Sequence, residues 1–174
     1  MDNEINVLIK ALPESLYKTL FKHNNLENLL EIVLDYGRPP EARFSTGSEI
    51  FSTKEITKSD LAYVIKKIGK FMPDNRAGIQ RTLHRISAIK NRENKTIGLT
   101  MRVGKVINGT INIIDDIVKK SESILFLGPP GVGKTTMLRE VSKFLADEMK
   151  KRVVIVDTSN EIAGDGDIPH PAIG

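Results

Sequence analysis

Apolar residues return along this chain in three rhythms, and the rhythms divide it. Up to Phe21 they follow the three-to-four spacing of a helix face: Val7, Leu8 and Leu12, then Leu16, Leu20 and Phe21. Pro13 falls where a second helical piece would begin, a place where its missing amide costs little. Asn24-Asn25 breaks the pattern, and Leu30 to Asp35 reads as a short strand. After the Gly37-Arg38-Pro39-Pro40 turn, Ala42 to Phe44 reads as the start of its partner. A helix is predicted over Thr57 to Phe71, with Thr57 and Asp60 as a capping box, Leu61, Val64, Ile65 and Ile68 as its apolar stripe, and Pro73 as its stop. Leu83 to Lys90 and Thr96 to Val103 are extended runs around Asn91-Arg92-Glu93-Asn94, which predicts a hairpin. In the second arm Ile97, Leu99, Met101 and Val103 alternate with Gly98, Thr100 and Arg102, so one face is apolar.

The rhythm changes after the Asn108-Gly109-Thr110 turn. Ile113, Ile114, Ile117 and Val118 form a short helical stripe, and two short apolar runs follow, Ile124 to Leu127 and Val153 to Val156. Each run has the length expected of a buried parallel strand. Between them Met137, Leu138, Val141, Phe144, Leu145 and Met149 mark one helix face. Two units are predicted: an α+β domain over residues 1–106 and the beginning of an α/β domain over 107–174. Thr158 to Gly174, rich in Gly, Pro and Asp, reads as loop.

Candidate chemistry sits where the first apolar run meets the helix. Gly128-Pro129-Pro130-Gly131-Val132-Gly133-Lys134-Thr135-Thr136 fits the phosphate-binding loop at every fixed position. Its glycines leave room for phosphate oxygens against the main chain, and the amides at the helix start favour an anion. Lys134 would hold the outer phosphates, the Thr135 hydroxyl would ligate Mg²⁺, and Thr136 would donate toward the inner phosphates. A nucleoside-triphosphate site is therefore expected. The second run ends in Asp157, and Glu161 follows at the carboxyl end of that predicted strand, where ligands bind in open parallel sheets. Glu161 is a candidate to polarise the attacking water, and Asp157 to orient it or to reach the metal through water.

Composition narrows the classes. Hydrophobic residues make up 40% and charged residues 28%, the proportions of a globular chain, and no apolar run approaches the ~18 residues of a membrane span. Absence of cysteine excludes disulfides, thiolate metal sites and a cysteine nucleophile. From Arg76 to Lys105 eight cations face one acid, a net +7 in a chain of net charge +4. Such a segment could serve as a nucleic-acid-binding module, although it holds no aromatic residue for stacking. His23, His84 and His170 stand at no metal-ligand spacing, and Asp165, Asp167 and His170 read as a polar loop in preference to a metal site.

Five stretches together resemble one family. They are Leu34 to Phe44 with its Arg-Pro-Pro, Arg81 to Ile89, Gly98 to Gly104, the phosphate loop, and Val156 to Gly164 with Asp-Thr-Ser-Asn-Glu-Ile-Ala-Gly. The chain is similar to the AAA-type ATPases of plastids and cyanobacteria known as a hypothetical chloroplast reading frame. More distantly it resembles stage III sporulation AA proteins and type II and IV secretion ATPases. The resemblance implies a RecA-like core after an α+β N-terminal domain, ATP and Mg²⁺ as nucleotide and metal, and a ring of like subunits. It implies that Asp157 and Glu161 match the acidic box, with the metal acid itself further on, and that an arginine of the N-terminal side or of a neighbour reaches the γ-phosphate, with Arg102, Arg85 and Arg81 as candidates. It also implies action on single-stranded nucleic acid or protein, and a setting in the plastid stroma or a bacterial cytoplasm.

The fold expected is thus an incomplete RecA-like P-loop core, stopping before its third strand. Only 47 residues run from Gly128 onward, against the ~100 or more of a whole domain. An N-terminal fragment of a Mg²⁺-dependent ATPase, inactive by itself, is the leading expectation. A non-motor nucleotide switch or small-molecule kinase, and the basic nucleic-acid module, are the alternatives.

Overall fold

A computed structural model describes residues 3–165 and 168–174. The architecture is mixed α/β, built on a single antiparallel sheet. Two short helices, α1 (Asn3–Ile9) and α2 (Glu14–Phe21), meet at Pro13 as the sequence predicts. Strands β1 (Leu29–Asp35), β2 (Glu41–Phe44) and β3 (Gly47–Ile50) follow, then helix α3 (Lys58–Ile68). Strands β4 (Arg76–Gly78), β5 (Arg85–Lys90) and β6 (Thr96–Arg102) complete a six-stranded sheet of order β3-β2-β1-β6-β5-β4.

One face of the sheet is core. Ile32, Leu34, Ala42, Ile86, Ala88, Leu99 and Met101 pack there in one cluster with Leu8, Ile9 and Leu12, Leu16 and Leu20 of α2, and Leu61 and Val64 of α3. The capping box that opens α3 is formed: Thr57 Oγ1 accepts from the Asp60 amide at 3.2 Å, and Asp60 Oδ2 accepts from the Thr57 amide at 2.9 Å. The helix ends at Ile68, earlier than the predicted Phe71. Gly69, at φ 98°, turns the chain out before Pro73 is reached.

The opposite face is polar, and a bulge makes it so. Leu29 pairs with Phe44 and Glu31 with Arg43, so two steps along β1 match one along β2, and Leu30 is the extra residue. Strict alternation from Leu29 would send Glu31 into the core; the bulge reverses the phase and sends Ile32 and Leu34 there instead. Glu31 thereby joins a cross-strand row of Arg43, Glu31, Arg102 and Arg85 on the polar face.

Beyond β6 the chain makes a 3₁₀ turn (Thr110–Ile113), helix α4 (Asp115–Lys119) and the 14-residue helix α5 (Lys134–Asp147). Here the structure departs from the sequence expectation. Ile124 to Leu127 and Val153 to Val156 form no strand pairing among the described residues. Phe126, Val153 and Ile155 are half-buried, Ile124, Phe126 and Val153 lining a groove with Leu138, Val141 and Leu145 of α5, while Leu125, Leu127, Val154 and Val156 are 78–83% exposed. Buried parallel strands need cover on both faces and pairing partners along their edges. These runs have cover on one face only. No α/β core of the RecA kind is therefore assembled among the described residues.

Candidate functional site

The phosphate-loop segment turns directly into α5. Gly133 caps the helix at φ 99° and Gly131 stands at φ 80°, angles that a side chain would strain. Lys134 is the first residue of α5, and its Nζ donates to the carbonyls of Gly128 and Pro129 at 2.8 Å each. The ammonium thus lies folded over its own loop. Gly128, Pro129, Pro130, Gly131, Val132 and Gly133 are exposed around it, whereas Thr135 and Thr136 are half-buried in the first turn of the helix.

Thr135 opens onto a cavity of about 420 Å³ between α5, the polar face of the sheet and the loop after Asp157. Arg76, Arg85, Arg102, Arg139 and Glu161 line it as well. Of the three arginines put forward from the family resemblance, the cavity takes in Arg85 and Arg102. Arg81 is exposed at φ 61° and does not line it. Four guanidinium groups converging beside a helix start suit a polyanionic ligand.

Each of these side chains is held by its surroundings. Glu31, 9% exposed, accepts from Arg102 Nε at 2.9 Å through one oxygen and from Arg43 Nη1 at 2.7 Å through the other. Arg85 Nη1 donates to Glu161 Oε1 at 3.3 Å, a bond from β5 to the loop. Arg139 Nε donates to the Ile162 carbonyl at 2.7 Å and its Nη2 to the Glu161 carbonyl at 2.5 Å. Burial lowers the Arg139 pKa, against the pull of the Asp157 and Glu161 charges.

Asp157 does something its sequence position alone could not reveal. Its Oδ1 accepts from the Glu161 amide at 3.0 Å, and its Oδ2 from the Ile162 and Ala163 amides at 2.8 and 3.0 Å. Asp157 therefore gathers the amides of the loop while Arg139 gathers its carbonyls, two opposite charges clamping one short segment. The loop then meets the connection between β4 and β5 at Gly164, where a Cβ would lie 2.5 Å from the Thr82 carbonyl oxygen. A second carboxylate, Glu140, fixes the connection between the halves by accepting from the amides of Gly109 and Ile111 at 2.7 Å and from Thr110 Oγ1 at 2.6 Å.

These carboxylates carry a pH dependence. Burial pushes both pKa values up, but the donors prevail, and each stands below its ordinary value: at Asp157 the amides of Ala163, Ile162, Glu161 and Ser159, at Glu140 the Thr110 hydroxyl and nearby amides. A depressed folded pKa contributes stability that is present above the unfolded value, about 3.9 for Asp and 4.3 for Glu, and is lost as pH falls through the folded one. Asp157→Asn should therefore lower the urea midpoint at pH 7, and the difference should vanish as the pH falls through the lowered Asp157 pKa. A midpoint difference constant over that range would show that the charge of Asp157 does not hold the loop.

Half of the cations in the basic segment are paired with acids. Arg76, Arg85, Lys95 and Arg102 pair with Asp74, Glu161, Glu93 and Glu31, and Lys105 donates to the Glu27 carbonyl. The three histidines are packing residues: His23 on Glu49 and Phe44, His84 on the Gly104 amide and Glu4 carbonyl, His170 on the Glu4 carboxylate and Ala172 amide. Among the described residues no three metal-ligating side chains cluster, and Asp167 lies outside those residues.

Sequence reasoning missed Glu31, Arg43, Arg139 and Glu140. Arg139 had a signal, since it lies four residues after Thr135 and so on the same helix face. Glu31 had a weaker one, a lone acid inside an apolar run.

No protein-family description matches the chain. It is 56% identical over 172 residues to the uncharacterized protein ycf45 of Porphyra purpurea, covering 99% of this chain and 30% of that protein. It is 53% identical over 171 residues to the protein SEEDLING PLASTID DEVELOPMENT 1 of Arabidopsis thaliana, covering 98% and 25%, and 47% identical over 172 residues to the ycf45 protein of Cyanidium caldarium, covering 99% and 51%. The chain thus spans between a quarter and about half the length of these relatives. Among solved structures, the Legionella pneumophila ATPase DotB aligns with a TM-score of 0.49 at 15% identity, over 72% of this chain and 40% of that one. The VirB11 ATPase of the Brucella suis type IV secretion system aligns at 0.39 and 12%, over 82% and 45%. Both structural likenesses are distant.

Proposed function

We propose that the chain is the nucleotide-binding portion of a Mg²⁺-dependent ATPase that works in a plastid or cyanobacterial cell as a ring of like subunits. One observation carries this reading: the Gly128 to Thr136 loop ends in the first turn of α5 with Thr135 facing a cavity lined by arginines from the sheet. A triphosphate placed there would draw the Lys134 ammonium off the Gly128 and Pro129 carbonyls onto its outer oxygens, and the loop amides would take the inner ones. Arg102, aligned by Glu31, and Arg85 would supply positive charge from the opposite wall. Residues 1–106 then form one wall of the site and 107–174 the other.

Mg²⁺ neutralises charge on the outer phosphates when it accompanies the nucleotide, and the Thr135 hydroxyl is the side chain of this segment suited to hold it. Asp157 has both oxygens committed to amides, so its part is to shape the loop that carries Glu161. Among the carboxylates lining the cavity, Asp74, Glu161 and Asp165, Glu161 is the one carried by the clamped loop, and it is the candidate to accept a proton from an attacking water. The runs at 124–127 and 153–156, apolar on the side away from α5, have the pattern of neighbouring strands in a larger parallel sheet. Single-stranded nucleic acid or a protein would be the substrate moved. Pairing of the basic residues with acids speaks against the sheet itself as a nucleic-acid surface.

Titration with a fluorescent ATP analogue, with Mg²⁺ and with EDTA, tests the reading. Saturable binding that weakens in EDTA and yields to ATP more readily than to GTP is expected. Equal competition by GTP would favour a nucleotide switch, and absence of binding would dismiss the site.

A further inference from the structure

Four arginines line the cavity, and they are held with unequal strength. Arg139 is fixed by two carbonyls, and Arg102 by a carboxylate that is itself almost buried. Arg76 pairs at 3.6 Å with Asp74, two residues away in the same turn, so that pair joins nothing across the cavity. Arg85 differs from all of these. Its bond to Glu161 crosses from the sheet to the loop beyond Asp157, and at 3.3 Å it is longer than the ~2.7–2.9 Å of a strong charge-assisted bond. The side chains are 35% and 47% exposed, so water competes for both ends. Glu161 meanwhile has its amide held by Asp157 and its carbonyl by Arg139, so its carboxylate can let go without the loop unfolding.

We propose that Arg85 and Glu161 are exchange partners: Glu161 holds Arg85 while the cavity lacks a terminal phosphate, and a triphosphate takes the arginine from it. The inference rests on the nucleotide reading above and adds to it a cause for preferring triphosphate over diphosphate. A guanidinium offered a phosphate gains a doubly charged, multiply accepting partner in place of one carboxylate oxygen. A diphosphate, lacking the outermost group, leaves Arg85 on Glu161. Release of Arg85 also frees the Glu161 carboxylate at the moment when a water needs a base, and it loosens a bond between the two walls of the site. Glu161 is in this account a specificity-determining residue that acts through Arg85.

Dissociation constants for a non-hydrolysable ATP analogue and for ADP, at fixed Mg²⁺ and salt, test this in the parent, Glu161→Gln, Arg85→Gln and the double variant. Removing the competitor should tighten the triphosphate analogue about two- to fivefold in Glu161→Gln, the span expected of a partly exposed ion pair, and leave ADP unchanged. Arg85→Gln should weaken the analogue roughly tenfold or more and ADP less than twofold. The double variant should match Arg85→Gln, because Glu161 acts only while the arginine is present. Circular dichroism of each variant confirms that these exposed changes leave the fold intact. Unchanged triphosphate affinity in Glu161→Gln overturns the proposal. So does equal tightening by Glu161→Gln in the Arg85→Gln background, which would mean direct repulsion of phosphate. A parent protein that binds neither nucleotide would instead defeat the nucleotide reading itself, so the two failures are distinguishable.

Discussion

Replacing Lys134 with alanine should weaken ATP binding by about a hundredfold or more, since charge-assisted bonds of roughly 1.5–3 kcal/mol each are lost and every 1.4 kcal/mol is a factor of ten. In the structure the ammonium has two neutral carbonyls as partners, those of Gly128 and Pro129. A phosphate is a better partner than either, so the energy of Lys134 is realised mainly when the nucleotide is present. Two measurements must therefore diverge. Nucleotide affinity should collapse in Lys134→Ala, whereas thermal stability without nucleotide should fall by no more than about 1 kcal/mol, because only exposed lysine-to-carbonyl bonds disappear. An equal loss in both would mean that Lys134 is a structural staple. Retained affinity would remove the phosphate loop from the site altogether.

The largest expected loss of stability lies in the sheet. Leu99 is fully buried on β6, opposite Leu34 on β1 and Ala88 on β5. Leu99→Ala should cost about 2–5 kcal/mol, from the lost transfer energy and the cavity left behind. For a chain of this size, that lowers the melting temperature by roughly 5–15 °C. Ile97, two residues earlier on the same strand and 38% exposed, provides the comparison, and Ile97→Ala should cost under about 1 kcal/mol. The measurement is thermal melting followed by circular dichroism. The same variant also probes the site, because Arg102 is carried three residues further along β6. Near-equal melting of the two variants would argue against the packing of β6 described above.

How much of this was legible in the sequence depended on whether a segment's surroundings were local. The break at Pro13, the Thr57 and Asp60 box, the pairing of β1 with β2 and the β5–β6 hairpin all follow from residues within a few positions of one another, and the sequence conveyed them. Strands β3 and β4 escaped, since the first is exposed along its whole length and the second has three residues, and neither alternates in polarity. Apolar runs at 124–127 and 153–156 looked like buried strands because hydrophobicity reports a wish for cover. Cover itself is supplied by other segments, and here α5 supplies it on one side only. The Asp157 carboxylate and the Arg139 guanidinium were visible as charges, but their targets are main-chain groups whose positions depend on the folded loop. Glu31 was the hardest to read, for its place is decided by the extra residue Leu30 in the pairing with β2 rather than by any property of Glu31.

That extra residue also determines which kinds of sequence change the N-terminal half can absorb. Exchanging Leu30 for another side chain keeps the parity of β1, since the residue faces no partner on β2. Losing it would shift the reading of Glu31, Ile32, Val33, Leu34 and Asp35 by one step, so that two acids point into the hydrocarbon and two large aliphatics point into water. Length is thus a heritable trait of this strand more strictly than composition. Insertions and deletions in descendants of this chain should therefore be rarer within residues 29–35 than substitutions are.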